Sequence, residues 1–161
     1  MREATEKDFE GICKLIKSQE ELFLIYPNGK YPLTVAQVKE LSQVRKELTV
    51  AVEGKTIIGF ANFYDYQRSK HAFIGNVVIA QSCRGRGLGK KIVSYMLKIA
   101  YEKYNLPEVR ISVFNQNTPA LLLYSGLGFT PYEIEERKSP QGNRIALIHM
   151  KVTRINHDSE Q

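Results

Sequence analysis

The stretch Gln81–Tyr104, QSCRGRGLGKKIVSYMLKIAYEKY, decides how the rest of the chain is read. It opens with Arg84-Gly85-Arg86-Gly87-Leu88-Gly89 and continues into a segment whose apolar residues Leu88, Ile92, Met96 and Ala100 recur at helical spacing. Val93 and Leu97 widen that stripe. Just before it, Val77-Val78-Ile79-Ala80 is an apolar run of strand length. The order is strand, glycine-rich turn, helix. Glycines allow turns that a Cβ forbids. The first turn of a helix carries unpaired N–H groups and a partial positive charge, which suit an anion. Arg84, Arg86, Lys90 and Lys91 add formal charge beside it. Residues 84–90 are therefore read as a phosphate cradle. Two plainer accounts compete: a turn ahead of an ordinary surface helix, its bases merely solvated, or a short Arg-Gly patch for nucleic acid, although such patches are usually longer and disordered.

Spacing excludes two common phosphate sites. A P-loop needs a glycine five residues before its Gly-Lys pair and a Ser or Thr after it; Arg84 and Lys91 hold those places. A dinucleotide fingerprint starting at Gly85 and Gly87 needs a third glycine where Lys90 stands. The pattern that is met is Arg-x-x-Gly-x-Gly, by Arg84, Gly87 and Gly89. A second pattern follows about thirty residues on: Asn117, Ala120, Tyr124, Gly128 and Phe129 spell N-x-x-A-x-x-x-Y-x-x-x-G-F. Together, in this order and behind an apolar strand, they resemble the two signatures of the GNAT superfamily of acetyl-CoA-dependent N-acetyltransferases. The resemblance is clear from Lys70 to Val152 and rests on element order alone before that.

Working outward, Met1–Ala4 is a short strand, and Thr5 with Asp8 makes a capping box for a helix reaching about Glu21. Phe23–Leu33 is a loop with strong turn signals. Thr34 caps a second helix with Val38, Leu41 and Val44 on one face. Strands are predicted over Leu48–Glu53, Thr56–Tyr66 and Lys70–Ala80, then over Val109–Phe114, Thr130–Lys138 and Arg144–Val152. Pro119 suits the first turn of a short helix to Leu127, which Gly128 stops. The fold class is α/β (α+β). The resemblance implies a GNAT fold: a mixed, mostly antiparallel sheet of six to seven strands with a central parallel splayed pair, flanked by about four helices. One domain over 1–153 and a polar tail over 154–161 are expected.

Composition narrows the classes. Apolar residues make up 43% and charged residues 25%, as in a soluble globular domain. No run approaches the length of a membrane helix, and the polar, acidic N-terminus is unlike a signal peptide, so a cytoplasmic protein with no membrane partner is expected. The net charge of +6 fits an anionic cofactor. No second basic run with interleaved aromatics argues for nucleic acid, and none is expected as a partner. Cys13 and Cys83 match no metal spacing, and no metal is expected; Cys13 is read as core and Cys83 as an exposed neighbour of the cradle.

The resemblance assigns roles. It implies acetyl-CoA as co-substrate, its pyrophosphate on the amides of the cradle and its pantetheine arm along Val77, Val78 and Ile79 and against Asn117. Tyr124 would protonate the departing thiolate, as a phenol can. The reaction implied is direct transfer of acetyl to a primary amine, peptide-like (a lysine or N-terminal amine) or, alternatively, a small-molecule amine; a non-catalytic acyl-CoA sensor is the competing class. A lysine amine is neutral in only about one molecule in 2,500 at pH 7, so a base is wanted. The family's two glutamate positions hold Asn76 and Ser112 here. A water relay, or an acceptor that loses its proton to solvent, is therefore expected. The acceptor groove implied by the family points to Tyr26, Tyr31, Phe63, Tyr64, Asp65, Asn76 and the Arg137–Arg144 hairpin. The positive charge disfavours polycationic acceptors and favours an amine that also bears a carboxylate. The last strand is open to pairing between chains as a homodimer.

Overall fold

A computed structural model of the chain describes residues 1–154. The strands are β1 (Arg2–Glu3), β2 (Lys46–Glu53), β3 (Thr56–Gln67), β4 (His71–Ile79), β5 (Glu108–Phe114), β6 (Thr130–Lys138) and β7 (Arg144–Thr153). The helices are α1 (Phe9–Cys13), α2 (Gln19–Ile25), α3 (Val35–Val44), α4 (Leu88–Glu102) and α5 (Thr118–Gly126). The strands form one mixed sheet in the order β1-β2-β3-β4-β5-β7-β6, with β4 and β5 its parallel pair. The mixed sheet and its parallel pair are as expected, with five helices rather than about four. The expected tail beyond Arg154 lies outside the described residues.

Contacts cluster the chain into two compact units. The first comprises Met1–Asp65 with Ile74–Met96. Its main core joins Phe9, Ile12, Leu22, Val38, Val50 and Phe60; each such side chain contributes roughly 1.5–3 kcal/mol by leaving water. The expected first helix is interrupted. A 3-10 turn over Glu6–Asp8 leads into α1, and a separate α2 starts after Ser18, whose hydroxyl accepts from the Glu21 amide. The expected span is broken because a second N-cap within it, Ser18, restarts the helix and carries it into the expected loop. Val44, expected on the inner face of α3, is 79% exposed, because α3 buries only Val38 and Leu41.

The second unit comprises Tyr66–Phe73 with Leu97 onward. Here β5 alternates from Glu108 to Val113, burying Val109, Ile111 and Val113 while Arg110 and Ser112 face the other side. It pairs antiparallel with β7, so that Ser112 lies directly across from His149. On the far side of β7, β6 carries a register shift between Pro131 and Glu133. Gly128, at φ +93°, ends the α5 segment in the left-handed conformation foreseen for it.

Candidate functional site

The cradle is built on a buried footing. After β4, Ala80 donates its amide to the Ile58 carbonyl, and residues 81–83 make one 3-10 turn. Cys83 is buried against Ala51 and Ile58, so the expectation of an exposed thiol is corrected: its side chain anchors the turn from below. Gly85 and Gly87 then adopt φ +80° and +77°. A Cβ at either position would meet nothing within 4 Å. The glycines therefore serve backbone conformation, leaving open space above the turn. Leu88, Gly89 and Lys90 open α4, and their amides have no intrahelical acceptor.

The cations around the turn divide into two kinds. Arg84 donates to the Ile79 carbonyl at 3.2 Å and pairs with Glu21 of α2 at 2.6 Å. Arg86 pairs with Glu53 at 2.7 Å. Both guanidiniums thus hold neighbouring segments to the turn, while Lys90 and Lys91 are exposed at the helix start. Burial pushes the Glu21 carboxyl up, but the Lys17 amide and Arg84 outweigh it and hold the carboxyl below its ordinary range. On β4, Val78 is buried and Val77 and Ile79 are half-buried.

Of the residues expected in the acceptor groove, Tyr26, Tyr31, Tyr64 and Asn76 fall into three situations within the first unit, while the Arg137–Arg144 hairpin belongs to the second. Tyr26 and Asn76 line a small cleft of about 10 Å³, room for about one water molecule, whose remaining walls are apolar, among them Ile25, Leu33 and Leu41. Asn76 is 7% exposed and adopts φ +52°, an uncommon conformation for a non-glycine residue. Both ends of its amide are engaged: Nδ2 donates to the Ile25 carbonyl, and Oδ1 accepts from Asn62 Nδ2, each at 2.7 Å. Tyr64 lies under the guanidinium of Arg45, 4.5 Å from Cζ to the ring centre. Tyr31 is largely exposed and spends its hydroxyl on the Lys17 carbonyl.

In the second unit, Asn117 caps α5 and its Oδ1 accepts from the Ala120 amide at 3.4 Å. Tyr124 is 5% exposed, its ring 6.1 Å from that of Phe129. Sequence reasoning missed a constellation in the same unit. Ser112 Oγ lies 2.7 Å from His149 Nδ1, and His149 Nε2 lies 2.8 Å from Glu135 Oε2. The neutral tautomer protonated on Nε2 satisfies both contacts, leaving Nδ1 as a base toward the hydroxyl. Phe73 and Tyr132 pack on the imidazole. The His149 hydrogen bond, first among several causes, holds the Glu135 carboxyl below its ordinary range. The available signal was the alternation of β5 and β7, which aims Ser112 and His149 to one face; their pairing needed the register.

No group of His, Cys, Asp and Glu among the described residues could hold a metal ion, and no helix among them is long and apolar enough to cross a membrane.

Comparison with known proteins gives three kinds of likeness. Residues 10–129 match the model of the acetyltransferase (GNAT) family. The thialysine N-epsilon-acetyltransferase of Bos taurus is 24% identical over 124 residues, 75% of this chain and 70% of that protein. Two solved structures share the fold. One is yncA of Salmonella typhimurium, a putative acetyltransferase with its cofactor acetyl-CoA (TM-score 0.73, 18% identity, covering 94% of this chain and 91% of that one). The other is a point mutant of the spermidine N-acetyltransferase SpeG of Vibrio cholerae (TM-score 0.78, 17% identity, 97% and 95%).

Proposed function

The chain belongs to the acetyltransferase (GNAT) family and is an acyltransferase; we propose that residues 1–153 act as one N-acetyltransferase domain that moves acetyl from acetyl-CoA to a primary amine by direct attack. The observation that carries this is the Gly85–Lys90 turn. Two left-handed glycines and a helix start present main-chain donors to open space, which fits a diphosphate and has no other evident use. Val77, Val78 and Ile79 would receive the pantetheine arm as an added strand is received, with Asn117 beside it. Arg84 and Arg86 would hold the turn in shape, and Lys90 would supply charge.

When bound, acetyl-CoA supplies the activated acyl group; the chain's own residues handle protons. Tyr124 is assigned as the general acid for the thiolate, and His149, reached through Ser112 and oriented by Glu135, as the acceptor of the ammonium proton. The hydrogen-bonded Ser–His–Glu chain supports a protein base where the family's glutamate positions lack one. The acceptor is a lysine-like or N-terminal amine. A relative named for a lysine analogue supports it, and the net charge of +6 disfavours a polycation such as spermidine.

The test is free-thiol release from acetyl-CoA across amines and peptides, for the wild type and Tyr124→Phe. The variant should lose roughly 100-fold or more in kcat at unchanged affinity for CoA. Calorimetry showing no uptake of CoA by the wild type would end this assignment.

A further inference from the structure

Among the described residues Arg45 is a cation without a counter-ion. It follows α3 and is half-buried, and burial pushes its guanidinium below the ordinary range despite the phenols of Tyr64 and Tyr26 nearby. A desolvated arginine is normally matched by a carboxylate, because an uncompensated buried charge is costly. No Asp or Glu among the described residues pairs with Arg45. Its hydrogen-bonding partner is neutral: Nη1 donates to Asn62 Oδ1 at 3.3 Å. That bond is long, and a guanidinium has five donors to place.

The slot around it is shaped to keep the fork in place. The Tyr64 ring stacks on one side, 4.5 Å from Cζ. Gly75 of β4 forms the floor: a Cβ there would come within 2.6 Å of both Arg45 Nη1 and Tyr64 Cδ1. Gly75 has no left-handed φ, so it is the space that excludes a side chain. Asn62 also donates to Asn76, and Asn76 lines the apolar cleft together with Tyr26. One hydrogen-bonded row therefore runs from the arginine to the cleft wall. A planar donor fork in a fixed slot, beside an apolar cleft and lacking an anion of its own, has the chemistry of a carboxylate receptor.

We propose that Arg45, stacked on Tyr64 over Gly75, binds a carboxylate of the acceptor, so that this transferase acts on amines that also carry a carboxylate. The inference rests on the transferase reading for its acceptor, but the carboxylate site itself can be tested without turnover.

Calorimetry with 4-methylvalerate and with its neutral isostere 4-methylvaleramide reads the site directly. The carboxylate should bind the wild type at least ten-fold more tightly than the amide. In Arg45→Gln that preference should fall below two-fold, with acetyl-CoA affinity and the melting temperature showing that the variant is folded. A second arm measures kcat/KM for L-lysine against L-lysinamide and L-methionine against L-methioninamide, compared at equal neutral amine; the acids should lead by ten-fold or more in the wild type alone. Equal binding of acid and amide by the wild type overturns the proposal. So does a preference that survives in Arg45→Gln, or an Arg45→Gln variant that remains folded yet loses acetyl-CoA, which would make Arg45 part of the cofactor site. Carboxylate binding without any acetylation would count against the transferase reading while supporting the anion site. Should Arg45→Gln fail to fold, Arg45→Lys keeps the charge without the fork and should retain only part of the preference; full retention overturns the planar-fork argument.

Discussion

His149 Nδ1 lies 2.7 Å from the hydroxyl of Ser112, the residue directly across from it on the neighbouring strand. With Nε2 committed to Glu135, the imidazole has one neutral tautomer that fits, and protonating it removes the acceptor that Ser112 uses. His149→Gln should therefore lower kcat roughly 100-fold while KM for acetyl-CoA stays within about two-fold. Glu135→Gln should fall between wild type and His149→Gln in kcat. A His149→Gln enzyme that kept the wild-type kcat would show the chain to be structural.

Gly87 at φ +77° tests the cradle through backbone conformation alone. Gly87→Ala adds a methyl group that touches nothing, so its cost is conformational, about 1–2 kcal/mol. KM for acetyl-CoA should rise about ten-fold or more as the turn relaxes, with kcat at saturation much less affected. Asn, which tolerates the left-handed region, should fall between Gly and Ala. Steady-state kinetics on the three proteins decides this.

Asn76 answers a different need. Its side chain satisfies the Ile25 carbonyl and takes the Asn62 amide proton in a buried setting. Asn76→Ala leaves two buried polar groups unpaired and should cost about 2–4 kcal/mol in chemical unfolding. Asn76→Asp removes the donor to Ile25 and buries a charge, so it should be at least as damaging near neutral pH and milder in acid. Equal stability of Asn76→Ala and wild type would contradict the buried network.

Asp8 makes stability depend on acid. It pairs with Arg2 at 2.7 Å and accepts from the Thr5 amide at 2.8 Å. The Arg2 hydrogen bond is the largest influence, and the carboxyl is lowered to about 2. A depressed folded-state value means that the contribution is complete above the unfolded value near 4 and is lost as pH falls toward 2. Asp8→Asn should cost on the order of 2 kcal/mol at pH 7, with the gap to wild type closing between about pH 4 and pH 2. Urea titrations at pH 7, 4 and 2.5 measure it.

The Arg84–Glu21 pair lashes α2 to the cradle. Because both partners are partly exposed, a double-mutant cycle with Arg84→Gln and Glu21→Gln should give a coupling of only about 0.5–1 kcal/mol in stability, weakening with salt. Each single variant should nonetheless raise KM for acetyl-CoA several-fold, because the turn loses its anchor.

The features legible in the sequence are local. The strand–turn–helix order at 77–104, the Asn117 cap, the α5 helix and the Gly128 stop all depend on neighbours within a few residues, where glycine freedom, capping and apolar period act directly. The helix break before Gln19 was the local miss, because Ser18 was not read as a second N-cap. Cys83 was misplaced for the opposite reason: its burial is made by Ala51 and Ile58, which nothing in its own neighbourhood announces.

Sequence alone determined that this chain belongs with acetyltransferases and where its glycine-rich turn lies, because motif spacing is a property of contiguous backbone. Only the tertiary structure decided that Arg84 is held by Glu21, 63 positions away, that Ser112 meets His149, 37 positions away, and that Arg45 rests over Gly75 with no carboxylate among the described residues to answer it. Such partnerships are fixed by strand register and by which face of the sheet each side chain takes, and a one-residue slip would dissolve them while leaving every local pattern in the sequence intact.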